Sequence, residues 1–312
     1  MKKLIILFLG VLMGAGAMAQ QEPHYTFFMF NRQNLNPAFV GSSGGTDFQF
    51  LSRKQWVQIE GAPSTFAAGV STLLGKGATR PKSALGLSFY SDRIGMYSNN
   101  YVGLQYAYHA QLSQNTILSF GVQGALRGFD RDFSQLNADQ SNDPALQGGS
   151  TSSYTGNLGA GLFLYSSKMY VGLGIPNVLR TAFSSGEEAQ VVRHAYAMAG
   201  YRFDLSKSFA LRPGVLVKST LDGSVKTIPS YDVNLSAIWN DRFLLGVSYR
   251  WDESLGFMTK LMLGDKIYVG YAYDLGLQGI AYQSNGSHEV MLGIHWGLKT
   301  KGINNPRFIN YF

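Results

Sequence analysis

Five histidines, His24, His109, His194, His288 and His295, are the side chains of this 312-residue sequence that ordinarily titrate near neutrality, and cysteine is absent. The histidines are scattered, with no spacing that would gather metal ligands. His288 and His295 stand on opposite parities of one strand-like segment, so they face opposite sides of it. A Gly-x-Ser-x-Gly elbow, which exposes a serine nucleophile, does not occur. Asp252-Glu253 sets two carboxylates beside Trp251, a pairing suited to general acid–base work, but it falls at a hairpin and reads as a solvated turn. Gly75-Lys76-Gly77 lacks the spacing of a phosphate-cradling loop. Asp130, Asp132, Asp139 and Asp143 offer oxygen ligands without the spacing of a calcium loop, and read as a solvated acidic loop. The chemistry is that of a non-enzymatic protein, with no cofactor and no metal.

Charge excludes one further class. The formal net charge of +7 falls to +5 without Lys2 and Lys3, and the basic residues are dispersed. Nucleic-acid binding needs a basic patch, which this pattern lacks.

The elements that would position any site are strands. In 287–298, His288, Val290, Leu292, Ile294, Trp296 and Leu298 alternate with Glu289, Met291, Gly293, His295 and Gly297. Large apolar residues against small or polar ones at period two is the signature of a strand between lipid and a polar interior. Leu118, Phe120 and Val122 oppose Ser119, Gly121 and Gln123; Phe243, Leu245 and Val247 oppose Gly246, Ser248 and Arg250. Val269 joins the outward set, while Arg127, Arg212, Lys218 and Arg250 are placed inward, because an arginine or lysine is costly in lipid. Such segments recur near 46–54, 65–74, 83–92, 100–109, 116–127, 154–165, 168–174, 192–203, 208–218, 229–239, 242–251, 254–263, 265–274 and 287–298. This predicts an all-β fold, an antiparallel transmembrane barrel of about fourteen strands of the outer-membrane type. Beyond the leader no stretch of 18 apolar residues occurs, so no spanning helix is available. Asn240-Asp241 and Gly264-Asp265 read as tight periplasmic turns; 128–153 and 175–191 read as long extracellular loops, the first a surface for a partner.

The predicted organisation is a signal peptide over 1–19, an N-terminal plug or periplasmic segment over 20–44, the barrel over 45–298, and a tail over 299–312. Lys2-Lys3, an apolar run over Leu4–Met13 and Ala17-Met18-Ala19 make the leader, and no cysteine follows to take a lipid anchor. Residues 20–44 do not alternate. Phe28, Met29, Phe30 and Asn31, followed by Asn36 and Pro37, are too apolar for a free tail in water. Arg53 and Trp56 close the first hairpin. Arg53 is expected to pair with Asp92 or another inward carboxylate, and Trp56 to sit at the membrane interface.

Several of these stretches carry a resemblance. Gln21-Glu22-Pro23-His24-Tyr25, Phe28-Met29-Phe30-Asn31, Asn36-Pro37-Ala38-Phe39-Val40-Gly41, Arg53 with Gln55-Trp56, Gly61-Ala62-Pro63 and Ser91-Asp92-Arg93-Ile94-Gly95 follow one another in order. The second half adds Gly174-Ile175-Pro176, Arg212-Pro213, Gly246-Val247-Ser248-Tyr249-Arg250, Gly270-Tyr271-Ala272-Tyr273-Asp274 and Asn305-Pro306-Arg307-Phe308. The chain resembles the PorP/SprF family of type IX secretion system membrane proteins of the Bacteroidetes. Arg32-Gln33 departs from the Pro-Leu usual there, and Phe28 stands near a usual Gln.

The resemblance implies an outer-membrane barrel whose partners are type IX secretion machinery components, a secreted cargo protein and membrane lipid. It implies support for secretion, or for surface attachment of a specific cargo such as an adhesin, as in gliding motility. The alternative is an outer-membrane channel or hydrophobic-substrate transporter. A soluble periplasmic β-protein is a third reading, but it leaves the outward aromatics without a core.

Overall fold

A strand with one apolar and one polar face satisfies lipid and lumen together only if the sheet closes on itself. The computed structural model describes residues 22–75, 82–132, 150–181, 191–222 and 229–297, and there the sheet closes. Its strands are β1 (Gly45–Lys54), β2 (Ser64–Leu73), β3 (Lys82–Ile94), β4 (Tyr97–Gln111), β5 (Ile117–Asp132), β6 (Ser150–Tyr165), β7 (Met169–Ile175), β8 (His194–Tyr201), β9 (Phe203–Asp204), β10 (Phe209–Thr220), β11 (Ser230–Trp239), β12 (Phe243–Arg250), β13 (Ser254–Leu263), β14 (Ile267–Gly276) and β15 (Ser287–Gly297). β9 continues β8 past a break at Arg202, and both pair with β10, so the segments form fourteen staves. Every pairing is antiparallel. β1 meets β15 from Gly45↔Gly297 to Lys54↔His288, which closes the ring. No described helix is long and apolar enough to cross a membrane.

Both termini of the barrel lie at one end, with the turns 166–168, 205–208, 240–242 and 264–266. Asn240 and Asp241 take φ of +50° and +53° and Gly264 takes +70°. These left-handed angles match the twist of a tight hairpin, and Asn, Asp and Gly tolerate them. Short turns mark the periplasmic end of an outer-membrane barrel. The connections 55–63 and 277–286, the latter with a one-turn helix α1 (Gly279–Tyr282), lie at the opposite, extracellular end.

The outer surface carries the expected parity. Phe120, Val122, Phe243, Leu245, Val247 and Leu292 are exposed, while Arg127, Arg212, Lys218 and Arg250 are buried on the inner face. Aromatic residues gather toward the rims. Phe209, Trp239 and Phe243 cluster near the periplasmic turns, with ring centroids 4.9 Å and 6.2 Å apart, and Tyr249 meets Trp251 at 6.1 Å near the other rim. Rings with polar edges favour these interfaces.

Two expectations need correction. Residues 128–132 and 150–153 are not loop: they extend β5 and β6, with Asp130 accepting from Asn100 Nδ2 at 2.9 Å and the Asp132 amide donating to the Met96 carbonyl. The connection after β7 does not simply face outward either. It turns into the lumen, where the Pro176 carbonyl accepts from Gln123 Nε2 at 2.7 Å. The leader, the tail from 298, and Asp139 and Asp143 lie outside the described residues.

Candidate functional site

The inner wall is built around residues 22–44. The strands supply long polar side chains and glycines facing inward, and the N-terminal segment descends between them from the extracellular end to the start of β1. Its apolar residues are almost wholly enclosed. Phe28, Met29, Phe30 and Asn31 are each no more than 4% exposed and Asn36 is not exposed at all. Phe27, not singled out from sequence, is also fully buried and meets Phe30 edge-on at 5.8 Å.

The upper part of the segment is held by charge. Glu22 accepts from Arg127 Nη2 at 2.5 Å and from Tyr90 Oη at 2.8 Å, while Asn177 Nδ2 donates to it at 3.1 Å. Burial alone would raise the Glu22 carboxyl, but Arg127 and the nearby His194 and Tyr90 hold it down at about 2. Lys218 Nζ donates to the Glu22 carbonyl at 3.0 Å and approaches His24 Nε2 at 2.8 Å. The other ring nitrogen of His24 lies 3.5 Å from Glu253. Burial first, and Lys218 second, depress His24 to about 3, so a neutral ring bridges an ammonium and a carboxylate. Glu253 also accepts from Arg250 Nη1 at 2.9 Å. The Asp252-Glu253 turn is therefore not merely solvated, because Glu253 caps the end of the plug.

One turn lower, Glu289 accepts the Thr26 amide at 2.8 Å and the Phe27 amide at 2.9 Å. Arg53 reaches Glu289 at 3.0 Å, Asp274 at 2.7 Å and Thr26 Oγ1 at 2.8 Å. The inward carboxylates of Arg53 are thus Asp274 and Glu289. Asp92 instead accepts from Thr65 Oγ1 at 2.5 Å. Trp56 stands apart at the extracellular end, half-buried at a φ of +45°, its amide donating to Ser287 Oγ at 3.2 Å.

The lower part is held by shape and by amides. Gln33 Nε2 donates to Gln105 Oε1 at 2.7 Å, and Gln105 Nε2 donates onward to Gln123 Oε1 at 3.1 Å. Asn36 caps a short 3-10 turn (Pro37–Phe39) by accepting the Ala38 amide at 2.9 Å, and donates from Nδ2 to the Leu162 carbonyl at 2.9 Å. Pro37 and Ala38 lie against Gly121, where a Cβ would collide with their backbone. His109 Nε2 meets the Val40 carbonyl at 2.8 Å while its Nδ1 meets Tyr165 Oη at 2.9 Å. The remaining histidines are separately engaged: His194 with the Val192 carbonyl, His288 with Tyr271 and His295 with Asp47. The described residues contain no group of His, Asp and Glu able to hold a metal ion.

The structure thus brings Phe28, Met29, Phe30, Asn31, Asn36, Pro37 and Arg53 to one plug-and-wall assembly and leaves Trp56 at its rim. Glu22, Gln33, Gln105 and Glu289 complete it. Gln33 and Gln105 are marked in the sequence only by polar character, within the non-alternating segment and at inward parity, whereas Glu22 also lies in a family-like stretch.

Comparison with curated protein sequences finds no match. Among solved structures the chain is similar to the CymD monoaromatic hydrocarbon channel, with TM-score 0.48 and 12% identity over 85% of this chain and 91% of that one. It is similar to the P. putida toluene transporter TodX, with TM-score 0.45 and 9% identity over 85% and 92% of the two chains. For the outer membrane protein Omp33 of Acinetobacter baumannii the values are 0.42 and 9%, over 82% and 99%. At these values they are likenesses of barrel to barrel and carry nothing about ligands. The family model described as type IX secretion system membrane protein PorP/SprF matches residues 17–294. With the closed barrel, its lipid-facing outer surface and this match across most of the sequence, the chain is an outer-membrane protein that belongs to the PorP/SprF family of type IX secretion system membrane proteins.

Proposed function

We propose that this protein supports secretion or cell-surface attachment of a specific type IX cargo, such as an adhesin, and catalyses nothing. Its partners are then the secretion machinery and that cargo. The observation that supports this reading best is the plug. Residues 22–44 thread the lumen and are tied to the wall by Glu289, Arg127, Lys218 and the Gln105 ladder. A barrel built to pass solutes needs an open or readily opened path. A barrel whose own chain is fixed through it by ion pairs and close packing is better suited to act as a scaffold. The segment 20–44 carries the family-specific contact in this reading, and the extracellular rim, including β5 and β6 beyond the lipid, faces the cargo.

Gene disruption tests the proposal. Cargo is measured on intact cells and in the medium. Loss of surface cargo, with cargo retained inside or released, is the expected result. Unchanged cargo in both fractions, together with loss of uptake of a hydrophobic solute, would replace it with the transporter reading.

A further inference from the structure

The barrel wall is not of even height. β3, β4, β5 and β6 run for 13, 15, 16 and 16 residues, whereas β7 and β8 run for 7 and 8. The excess of the long strands lies at the extracellular end, where their ladders continue to Ile94↔Tyr97, Tyr97↔Arg131 and Asp132↔Ser150. β6 has β5 beside it along its whole length. On its other side the last pair with β7 is Ala160↔Ile175. Beyond Ile175 the chain turns into the lumen, where Asn177 donates to Glu22 at 3.1 Å. Residues Ser150–Gly159 of β6 are therefore left with one edge that no strand covers among the described residues.

The lower end of that edge is closed and the upper end is open. The Leu158 carbonyl accepts the Val178 amide at 2.7 Å, and the Leu158 amide donates to Asn157 Oδ1 at 2.9 Å. Leu158 thus shows which residues of β6 turn their backbone to this side. Strand alternation adds Gly156, Tyr154, Ser152 and Ser150, and no group among the described residues bonds their amides or carbonyls there. The devices that blunt a sheet edge are missing. Ser150–Gly156 contains no proline and no charge, and it pairs with β5 without a bulge. Access is free: Ser150, Thr151, Ser152 and Gly156 are exposed, and so is Tyr154, at 73%. A Cβ at Gly156 would meet nothing nearer than the Ala125 carbonyl at 4.0 Å. An open edge cannot stand in hydrocarbon, so this one belongs at the extracellular surface, where hydroxyls replace the apolar residues of the outer face.

We propose that the free edge of β6, over Ser150–Gly156, takes an added strand from an extended segment of the secreted cargo. A row of alternating amides and carbonyls is matched by another backbone, and its position requires that backbone to be extracellular. Lipid tails have no such groups. A second copy in the same membrane holds its β6 in the same sense and offers a parallel partner, the less stable pairing, whereas a secreted segment is free to run antiparallel. From Ser150 to Thr155 the side chains are hydroxyl-bearing and uncharged, so recognition is chiefly by backbone. Gly156 leaves room below Tyr154 for one large side chain of the added strand. The inference rests on the cargo reading and gives it a contact.

Proline tests the edge selectively, because at Ser152 or Gly156 it removes an amide that faces the gap and none that bonds β5. Cells making the full chain with both Ser152→Pro and Gly156→Pro should keep a heat-modifiable barrel in the outer membrane and lose surface cargo by about tenfold or more. Ser152→Ala, which keeps the amide, should display cargo as the wild type does. The chain has no cysteine, so Thr151→Cys carries a maleimide–diazirine crosslinker at one place. On illumination of intact cells its adduct should react with antibody to the cargo whose display is lost on gene disruption. Should the double-proline variant fail to insert, the crosslink decides. An adduct of two barrels, a link within one chain, or no cargo adduct overturns the proposal, as does normal display by the inserted double-proline variant. Cargo unchanged by gene disruption itself would instead sink the cargo reading, and the edge contact with it.

Discussion

Arg53 and Glu289 face each other directly across the β1–β15 ladder, the pairing that closes the barrel, and their side chains meet at 3.0 Å. The same Glu289 accepts two amides of the plug, from Thr26 and Phe27. Closure of the barrel and anchoring of the plug therefore share one carboxylate. Glu289→Ala should leave Arg53 with Asp274 as its one carboxylate and leave two plug amides without their acceptor. Breaking a buried pair from one side costs about 3–5 kcal/mol. The temperature at which the barrel loses its compact migration on a gel should fall sharply, and Glu289→Gln should fall less. An unchanged midpoint for both would remove the anchor from the account.

Gly121 gives a test that does not disturb charge. Its inner face lies against Pro37 and Ala38, so Gly121→Val must displace the plug backbone. The barrel ladder itself has room for a β-branched residue. The variant should stay heat-modifiable while residues 22–44 become open to protease and a bilayer conductance appears. Gly124→Val, which has open space around it, should do neither.

The lipid face predicts its own penalty. Val122 is 56% exposed near the middle of β5. Val122→Arg should destabilise the barrel by about 2–4 kcal/mol in vesicles, measured by urea unfolding, and Val122→Leu hardly at all. Met291→Arg, on an inward residue fully buried with Phe27 around Gly270, should instead disrupt the plug as well as the barrel.

Why the outer face could be read from sequence and the site only in part follows from these positions. Phe243, Leu245 and Val247 alternate with smaller or polar residues because lipid meets one side of β12 and the lumen the other. The signal fades where lipid ends. Tyr97–Asn99, Gly128–Asp132 and Ser150–Ser153 are strand, but with water around the rim nothing enforces alternation. Parity also placed Arg53 inward, but the carboxylate it suggested by name, Asp92, accepts from Thr65 instead. Glu289 lies 236 residues away in sequence, and only ring closure brings the two together. Arg32-Gln33, a departure from the family pattern, became intelligible only with the wall in place. Gln33 joins the Gln105 ladder and Arg32 covers Tyr170.

Two plug groups set a pH response. His24 is depressed from 6.5 to about 3, so its protonation is favoured only once the plug is loose, and stability falls as pH drops from 6.5 towards 3. Glu22 is depressed from 4.5 to about 2, so its contribution is complete above 4.5 and lost as pH falls towards 2. Protease protection of residues 22–44 should weaken as pH falls below about 6.5. His24→Gln should flatten the first part of that loss.

The central claim is that the plugged barrel serves cargo handling through its N-terminal segment. The most direct test deletes residues 21–41 behind an intact leader and follows two quantities in the same cells: insertion of the barrel in the outer membrane, and cargo on the cell surface. The account predicts a barrel that still inserts and a surface that loses its cargo. Normal cargo display with the segment gone would contradict it.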